Sequence, residues 1–287
     1  MRRFAVTVGA GALAAGLVAG QAHAADAQIY HPQLPPAGDA LYAPASIISA
    51  SLDILGGVNF GGGNNASGTG LSMSGVGRVN LVVHDGWNVQ ADVAGTAWTS
   101  YDFLGPTLNL DHTHVALTGY LYKRGPGWAF GPYVSFERRA SIDEKLAFFG
   151  FGYLPRFGPW EVHAYAQVGV VTNSGASGHV LGGQVGAQYW FTNNTAVGAD
   201  AMYHSFNQGG ANTGVVTLAA NVLHKLDRWP IALLGAVRWD SYSGAASASV
   251  ASVTGGLRFY IPGPPDALSE TDTGPAFTTR LSLPMNL

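Results

Sequence analysis

The sequence predicts an all-β fold, a single antiparallel up-and-down transmembrane β-barrel of about 12 strands. Two observations predict it. Short segments that alternate apolar and polar residues follow one another from residue 47 to residue 261, which is typical of strands with one apolar face. Only 11% of the 287 residues are charged, compared with roughly 25% in soluble domains. Beyond the N-terminus, no uncharged apolar run is long enough for a membrane helix.

The N-terminus has the layout of a secretory signal peptide. Arg2 and Arg3 precede an uncharged run rich in Gly and Ala, and Ala22-His23-Ala24 fits the cleavage motif. A transmembrane anchor is the alternative, although the run is slightly short for a span. The predicted organisation is a signal peptide at 1–24, an irregular periplasmic leader at 25–46, the barrel at 47–261 and a Pro-rich periplasmic tail at 262–287.

Composition excludes two further classes. The chain has no cysteine, so an exported form would depend on a closed hydrogen-bonded sheet and not on disulfides. Acidic residues outnumber basic residues by 17 to 14, so no nucleic-acid partner is indicated.

The segment that starts at Trp87 shows the alternation most clearly. Trp87, Val89 and Ala91 share one face, and Asn88 and Gln90 share the other. An apolar outer face and a polar inner face over about ten residues are typical of a lipid-facing barrel strand. Residues 144–156 are apolar on both faces, so the pattern does not orient them. The predicted strands are 47–60, 71–84, 87–103, 109–123, 128–140, 144–156, 160–173, 178–192, 195–207, 212–225, 230–242 and 247–261.

The turns between these segments fall into a tight set and a longer, more polar set. Short turns on one rim and longer loops on the other are typical of membrane barrels, and an even strand number places both termini on the short-turn side. The tight turns are 85–86, 124–127, 157–159, 192–194 and 226–228, and the loops are 61–70, 104–108, 140–144, 174–178, 208–213 and 243–247.

Aromatic residues gather at both rims, as amphipathic rings do at the two interfaces of a membrane. The alternative is that aromatic residues simply favour strand ends. The predicted girdle consists of Trp87, Trp128, Trp160, Tyr189 and Trp229 beside the short turns, and of Tyr101, Tyr203 and Trp239 at the opposite end.

The polar face collects most of the ionisable residues. A charge that faces lipid near the midplane costs about 2–4 kcal/mol, so these side chains are expected in the interior. Either they line an open polar channel whose opposing charges set a transverse field, or they form a closed, salt-bridged interior. The predicted lumen-facing residues are Asp53, Arg78, Gln90, Asp92, His112, His114, Glu137, Arg139, Glu161, His163, Asp200, His204, Arg238, Asp240 and Arg258.

The last predicted strand contains Gly256-Leu257-Arg258-Phe259-Tyr260-Ile261, a Gly followed by alternating apolar and aromatic residues. This motif is similar to the C-terminal β-signal of outer-membrane barrels, and residues 47–261 resemble the Gram-negative, porin-like outer-membrane β-barrel superfamily. The β-signal usually ends the chain, whereas here the tail follows it. An additional strand at 277–283 is the alternative to an unstructured tail. The resemblance implies an outer-membrane location and, as partners, outer-membrane lipids, lipopolysaccharide and the assembly machinery that reads the β-signal.

Two histidine motifs are the candidate sites of chemistry. His112 and His114 share one side of a strand, but a metal ion would need further ligands, so neither a metal nor a cofactor is expected. His204-Ser205 faintly resembles the signature of outer-membrane lipid A deacylases, but adjacent strand residues point to opposite sides, which separates a nucleophile from its base. No enzyme activity is expected.

The sequence therefore predicts a passive, porin-like channel for small hydrophilic solutes. The alternatives are a closed-lumen structural or surface-interaction protein and, more remotely, a lipid A-modifying enzyme. A soluble β-sandwich or lectin is the alternative fold.

Overall fold

A computed structural model describes residues 48–63, 67–98, 113–139, 143–173, 176–208, 210–244, 247–264, 266–268 and 274–277. The predicted signal peptide and leader lie outside these ranges, as do His112 and Tyr101. In the part of the chain that is described, no helix is long and apolar enough to cross a membrane.

Within these ranges, twelve strands form one closed barrel, which confirms the predicted fold class. Each strand pairs antiparallel with its neighbours in the chain, and β12 pairs with β1 to close the sheet, from Ala50 opposite Ile261 to Gly63 opposite Ala248. The strands are β1 (Ile48–Gly63), β2 (Ser67–His84), β3 (Trp87–Trp98), β4 (Thr113–Gly125), β5 (Trp128–Arg139), β6 (Glu144–Phe157), β7 (Trp160–Thr172), β8 (Ser177–Thr192), β9 (Thr195–Gln208), β10 (Ala211–Lys225), β11 (Ile231–Gly244) and β12 (Ala248–Ile261).

The tight turns owe their geometry to residues that tolerate a positive φ. Asp85 and Gly86 have φ values of 55° and 78°, which is the conformation of a two-residue turn whose twist matches that of the flanking strands. Gly127 and Gly158 also have positive φ values. These turns join β2 to β3, β4 to β5 and β6 to β7, so they lie together on one rim.

Burial alternates along the strands and separates an outer face from an inner face. On β5, Phe130, Val134 and Phe136 are exposed, whereas Tyr133 and Glu137 are buried. An exposed apolar surface all around a barrel with a polar interior is the arrangement that a membrane requires.

The structure also orients β6, which the sequence pattern leaves unassigned. Leu146 and Phe148 are buried inside the barrel, and Phe149, Phe151 and Tyr153 are exposed on the outer face. The inner face is apolar here because it packs against other inward-facing apolar residues, so the rule of a polar interior does not hold at this strand.

Part of the predicted periplasmic tail lies inside the barrel. Residues 274–277 lie in the lumen, where Phe277 is fully buried, and Ala267 packs against Trp190 and Ala196 at the short-turn end of the inner wall. The physical reason is the aromatic pocket described below, which removes this apolar ring from water. Phe277 itself is not in a strand, and the remainder of the alternative strand at 277–283 lies outside the described ranges.

Candidate functional site

The lumen wall is the candidate functional site, because it collects the buried ionisable side chains of the described residues. The structure places the predicted residues on the inner face of their strands, with the exception of His112, which is not described. Those that are buried are Asp53, Arg78, Gln90, Asp92, His114, Glu137, Arg139, His163, Asp200, His204 and Asp240, while Glu161, Arg238 and Arg258 are partly buried.

One charged cluster lies at the seam of the barrel. Asp53 on β1 accepts hydrogen bonds from Arg258 on β12, at 2.7 Å and 3.0 Å, and from Arg78 on β2, at 2.9 Å. The Asp53 side chain is 4% exposed. A buried carboxylate needs such compensation because desolvation of an unpaired charge is costly.

A second cluster joins β7, β8 and β9. His163 on β7 contacts the Asp200 carboxylate on β9, and Gln184 on β8 donates to the same carboxylate at 3.1 Å. The other Asp200 oxygen accepts from Asn221 on β10 at 3.3 Å.

Other charged residues form local pairs around the wall. His114 and Glu137 lie 3.0 Å apart on β4 and β5, and Arg238 donates from Nε to both oxygens of Asp240 at 2.9 Å. Two further pairs are Arg139 with Glu144 at 3.3 Å and Arg156 with Glu161 at 3.0 Å. Acids and bases therefore alternate around the lumen, and their charges largely cancel.

The structure adds an aromatic layer that the sequence analysis did not single out. Tyr120, Tyr122 and Tyr133 are buried on the inner faces of β4 and β5, and Tyr165 on β7 is partly buried beside them. Their positions in the alternating pattern of β4 could have revealed them. Tyr120 and Tyr122 share a face with His114, and the opposite face carries Val115, Leu117 and Leu121.

At the loop end, part of the lumen wall is apolar instead of polar. Two clusters of buried side chains lie there, and the partly buried Phe206 on β9 packs against both. Apolar constrictions can close a pore by excluding water. The clusters are Leu146, Phe148, Val171 and Val180 on β6 to β8, and Val215, Tyr242, Ala248 and Val250 on β10 to β12.

Between the aromatic and apolar layers lies a small cavity of about 40 Å³. Its lining includes Thr118, Ser135, Glu137, Gln167 and His204. To hold one water molecule, a cavity needs roughly 10–15 Å³ of space for the centre of a water-sized sphere and two or more polar partners. The cavity therefore has the size and the chemistry to hold a few water molecules.

The tail fills the lumen below this cavity. The Gln90 side chain donates to the Phe277 carbonyl at 2.6 Å and accepts from the Phe277 amide at 3.2 Å. The Phe277 ring stacks on Tyr120, with 5.2 Å between centroids, and meets Tyr122 and Tyr165 edge-on at 4.9 Å and 5.8 Å. These contacts reach from β3 to β7, so the ring occupies space between walls that are not adjacent in the sheet.

Comparison with solved structures agrees with this architecture. An outer membrane channel from Pseudomonas putida F1 superposes with a TM-score of 0.59 at 11% identity, over 79% of this chain and 100% of that one. The chain has the outer-membrane β-barrel fold.

Two further solved structures match with lower TM-scores. The KdgM porin in complex with disordered oligogalacturonate has a TM-score of 0.44 at 12% identity, over 73% of this chain and 98% of that one. An anion-selective porin from Comamonas acidovorans has a TM-score of 0.39 at 10% identity, over 74% and 99%. No family model matches the sequence, and no curated protein matches it.

The predicted girdle residues lie on the outer face of this outer-membrane barrel fold. Trp87, Trp160 and Trp229 are exposed beside short turns, and Trp160 contacts Tyr189 edge-on at 4.9 Å. Trp128, also next to a short turn, stacks on Phe130. At the loop end, Tyr203 and Trp239 are exposed, and Tyr101 lies outside the described residues.

Of the two histidine motifs, the structure describes His114 and the pair His204-Ser205. His204 is buried in the lumen 2.8 Å from Gln167, whereas Ser205 contacts Asn212 at 3.2 Å near the exposed outer surface. The described residues contain no group of three or more His, Cys, Asp or Glu side chains that could hold a metal ion.

Proposed function

We propose that this protein is an outer-membrane channel for small hydrophilic solutes, and that the structure corresponds to its closed state. The observation that carries the proposal is the layered lumen. Charged and amide side chains surround a small polar cavity, although filling the space with apolar residues would stabilise a purely structural barrel at lower desolvation cost. A barrel with an apolar outer surface and a polar path through its interior is the arrangement that conducts water-soluble molecules across a membrane.

The apolar exterior supports the membrane part of the proposal. Side chains such as Val93, Phe136 and Leu181 are more than half exposed, in the middle of their strands or nearer the loop end. In water, so large an apolar surface would cause association, whereas the hydrocarbon core of a membrane covers it. The likeness in fold to a protein described as an outer membrane channel supports the same assignment.

A closed-lumen structural protein is the second candidate, and a specific observation favours it. The interior charges are paired, as in Arg78 with Asp53 and Arg238 with Asp240, and the tail occupies part of the lumen. Under this alternative the barrel would act through its surface loops and would never conduct.

Planar-bilayer recordings on the purified, folded, full-length protein distinguish the two candidates. The channel proposal predicts small and infrequent conductance steps, because the polar path is narrow and partly occupied. Heat-denatured protein is the control for contaminating pores. The complete absence of steps would not be decisive while the tail is in place, so the same recording is made with Phe277→Ala. Folded protein that stays silent in both forms would contradict the channel proposal and leave the structural role.

A further inference from the structure

The tail follows β12 and meets the short-turn rim at several points. Leu268 donates from its backbone amide to the Asn193 carbonyl at 2.9 Å, and Ala267 donates to the Asn194 side chain at 3.1 Å. Further along, Arg124 donates to the Gly274 carbonyl at 2.6 Å. These contacts lie at the β8–β9 and β4–β5 turns, which are well separated around the barrel, so the described tail residues lie across its short-turn mouth.

Beyond the rim, the inner wall is shaped to receive Phe277. The Gln90 side chain satisfies both the amide and the carbonyl of this residue, as a neighbouring strand would. Tyr120, Tyr122 and Tyr165 surround the ring. Gly152 leaves the space on the remaining side, because a Cβ at that position would collide with the Phe277 ring. The pocket therefore fits both the aromatic ring and the backbone of Phe277.

The depth of this pocket matters for conduction. Tyr120 is five residues from the end of β4, which at a rise of about 3.3 Å per residue is roughly 16 Å along the strand. The ring thus lies well inside the barrel, next to the polar cavity that Tyr120, Tyr133 and Tyr165 also line. A hydrophilic solute that passed from the cavity to the short-turn mouth would have to displace it.

The tail segment could leave its site without disturbing the barrel. The twelve strands close on themselves through their own hydrogen bonds, and Phe277 contributes none of the ladder pairs. Withdrawal of the segment would expose one aromatic ring and break a few side-chain hydrogen bonds, and the sheet would remain complete. Local opening that leaves the rest of a fold intact needs less free energy than global unfolding, and here the ladder of the sheet takes no part in it.

We propose that residues 274–277 form a removable plug, held by an aromatic-binding site on the inner wall, which keeps the channel closed until the segment leaves. The inference rests on the proposed channel function. It assigns Gln90, Tyr120 and Tyr122 as the binding site and Phe277 as its ligand in the same chain. The same site would take an extended peptide with an aromatic side chain from outside.

The first test uses the full-length protein in planar bilayers. Phe277→Ala should raise the open fraction at least about tenfold, because the variant loses the burial and ring contacts that seat the plug. A synthetic peptide with the sequence of residues 262–287, added on the short-turn side, should close the variant again in a saturable way. The same peptide with Phe277→Ala should not. A purely structural tail would not produce block by an added peptide. Folded Phe277→Ala with unchanged conductance and no peptide block would overturn the plug.

A second measurement separates the plug from the channel. Fluorescence anisotropy of the labelled peptide reports binding to the full-length Phe277→Ala protein in detergent, whether or not the protein conducts. Adding Gln90→Ala should weaken binding at least about tenfold. Gln188→Ala is the matched control, because this glutamine also lies on the inner wall and forms no hydrogen bond with the described tail residues. Binding without conductance would reject the channel and keep the site, and a lack of saturable binding would reject the site. If Phe277→Ala fails to fold, Gln90→Ala alone carries the bilayer recording: it should raise the open fraction, Gln188→Ala should not, and equal behaviour of the two folded variants would overturn the plug.

Discussion

Asp53 on the first strand and Arg258 on the last strand are direct cross-strand partners, and Arg258 donates to both oxygens of the Asp53 carboxylate. Arg78 on β2 completes the cluster at 2.9 Å. Because Arg258 belongs to the strand that resembles a β-signal, this pair lies at the seam where the barrel closes. The seam is thus stabilised by a charge cluster in addition to its backbone ladder.

Replacing Asp53 should destabilise the barrel markedly. Asp53→Asn leaves the buried guanidinium of Arg78 and the partly buried one of Arg258 without their counter-ion, and breaking a buried ion pair in this way costs about 3–5 kcal/mol. Urea titration of folded protein in detergent micelles, followed by heat-modifiable gel migration, measures the change. Asp143→Asn is the control, since Asp143 and its partner Arg138 are 52% and 59% exposed and such pairs contribute about 0–1 kcal/mol. Equal effects at both positions would show that the seam cluster is as hydrated as a surface pair.

The position of Gly152 provides a second test of the tail site from the barrel side. Gly152→Ala places a Cβ against the Phe277 ring and 3.0 Å from Tyr165 Cδ1, and overpacking of this kind typically costs about 1–3 kcal/mol. The substitution should therefore loosen the segment and raise the open fraction in bilayer recordings. Gly77→Ala is the matched control, because a Cβ there meets no atom within 4 Å.

Combining Gly152→Ala with Phe277→Ala sharpens this prediction. If both substitutions act by vacating one site, the double variant should conduct like Phe277→Ala alone, since changes at contacting residues are not additive. Additive increases would place the effect of Gly152→Ala elsewhere in the wall.

The balance of charge in the lumen predicts weak ion selectivity. Arg238 and Asp240 lie next to each other on the inner face of β11, and Arg238 Nε bonds to both Asp240 oxygens. In a KCl gradient the Phe277→Ala protein should show a reversal potential close to zero. Adding Arg238→Gln leaves Asp240 uncompensated, which should shift the reversal potential towards that of a cation-selective pore. Arg138→Gln, at an exposed position, should leave it unchanged. A strong preference for either ion before the substitution would contradict the charge balance.

The strands were predictable because their signals are local. Alternation from Trp87 onwards and the Asp85-Gly86 turn together determine where β2 ends and where β3 begins, and the same parity places Asp53 and Arg258 on the inner face. Such signals need only a few consecutive residues, because the side-chain period of a strand is two.

The lumen filling was not predictable in the same way. Phe277 binds Gln90 across 187 positions of sequence, and no periodicity connects the two residues. The apolar inner face at Leu146 and Phe148 depends on Val171 and Val180 on neighbouring strands. A rule of polar interiors assumes a wet lumen, so it fails where inward-facing side chains pack against one another instead of water.

The membrane itself can be tested on the outer face. Val93 is 60% exposed in the middle of β3, and Val83 is 58% exposed near the short-turn end of β2. Val93→Arg should lower the free energy of unfolding in lipid vesicles by about 2–4 kcal/mol, whereas Val83→Arg, near the interface, should lower it by about 0–1 kcal/mol. Urea titration in vesicles measures both. This depth dependence is specific to lipid, because two equally exposed positions on a water-soluble barrel should tolerate arginine alike. A soluble β-sheet protein therefore predicts small and equal costs, and that outcome would reject the membrane assignment on which the channel proposal depends.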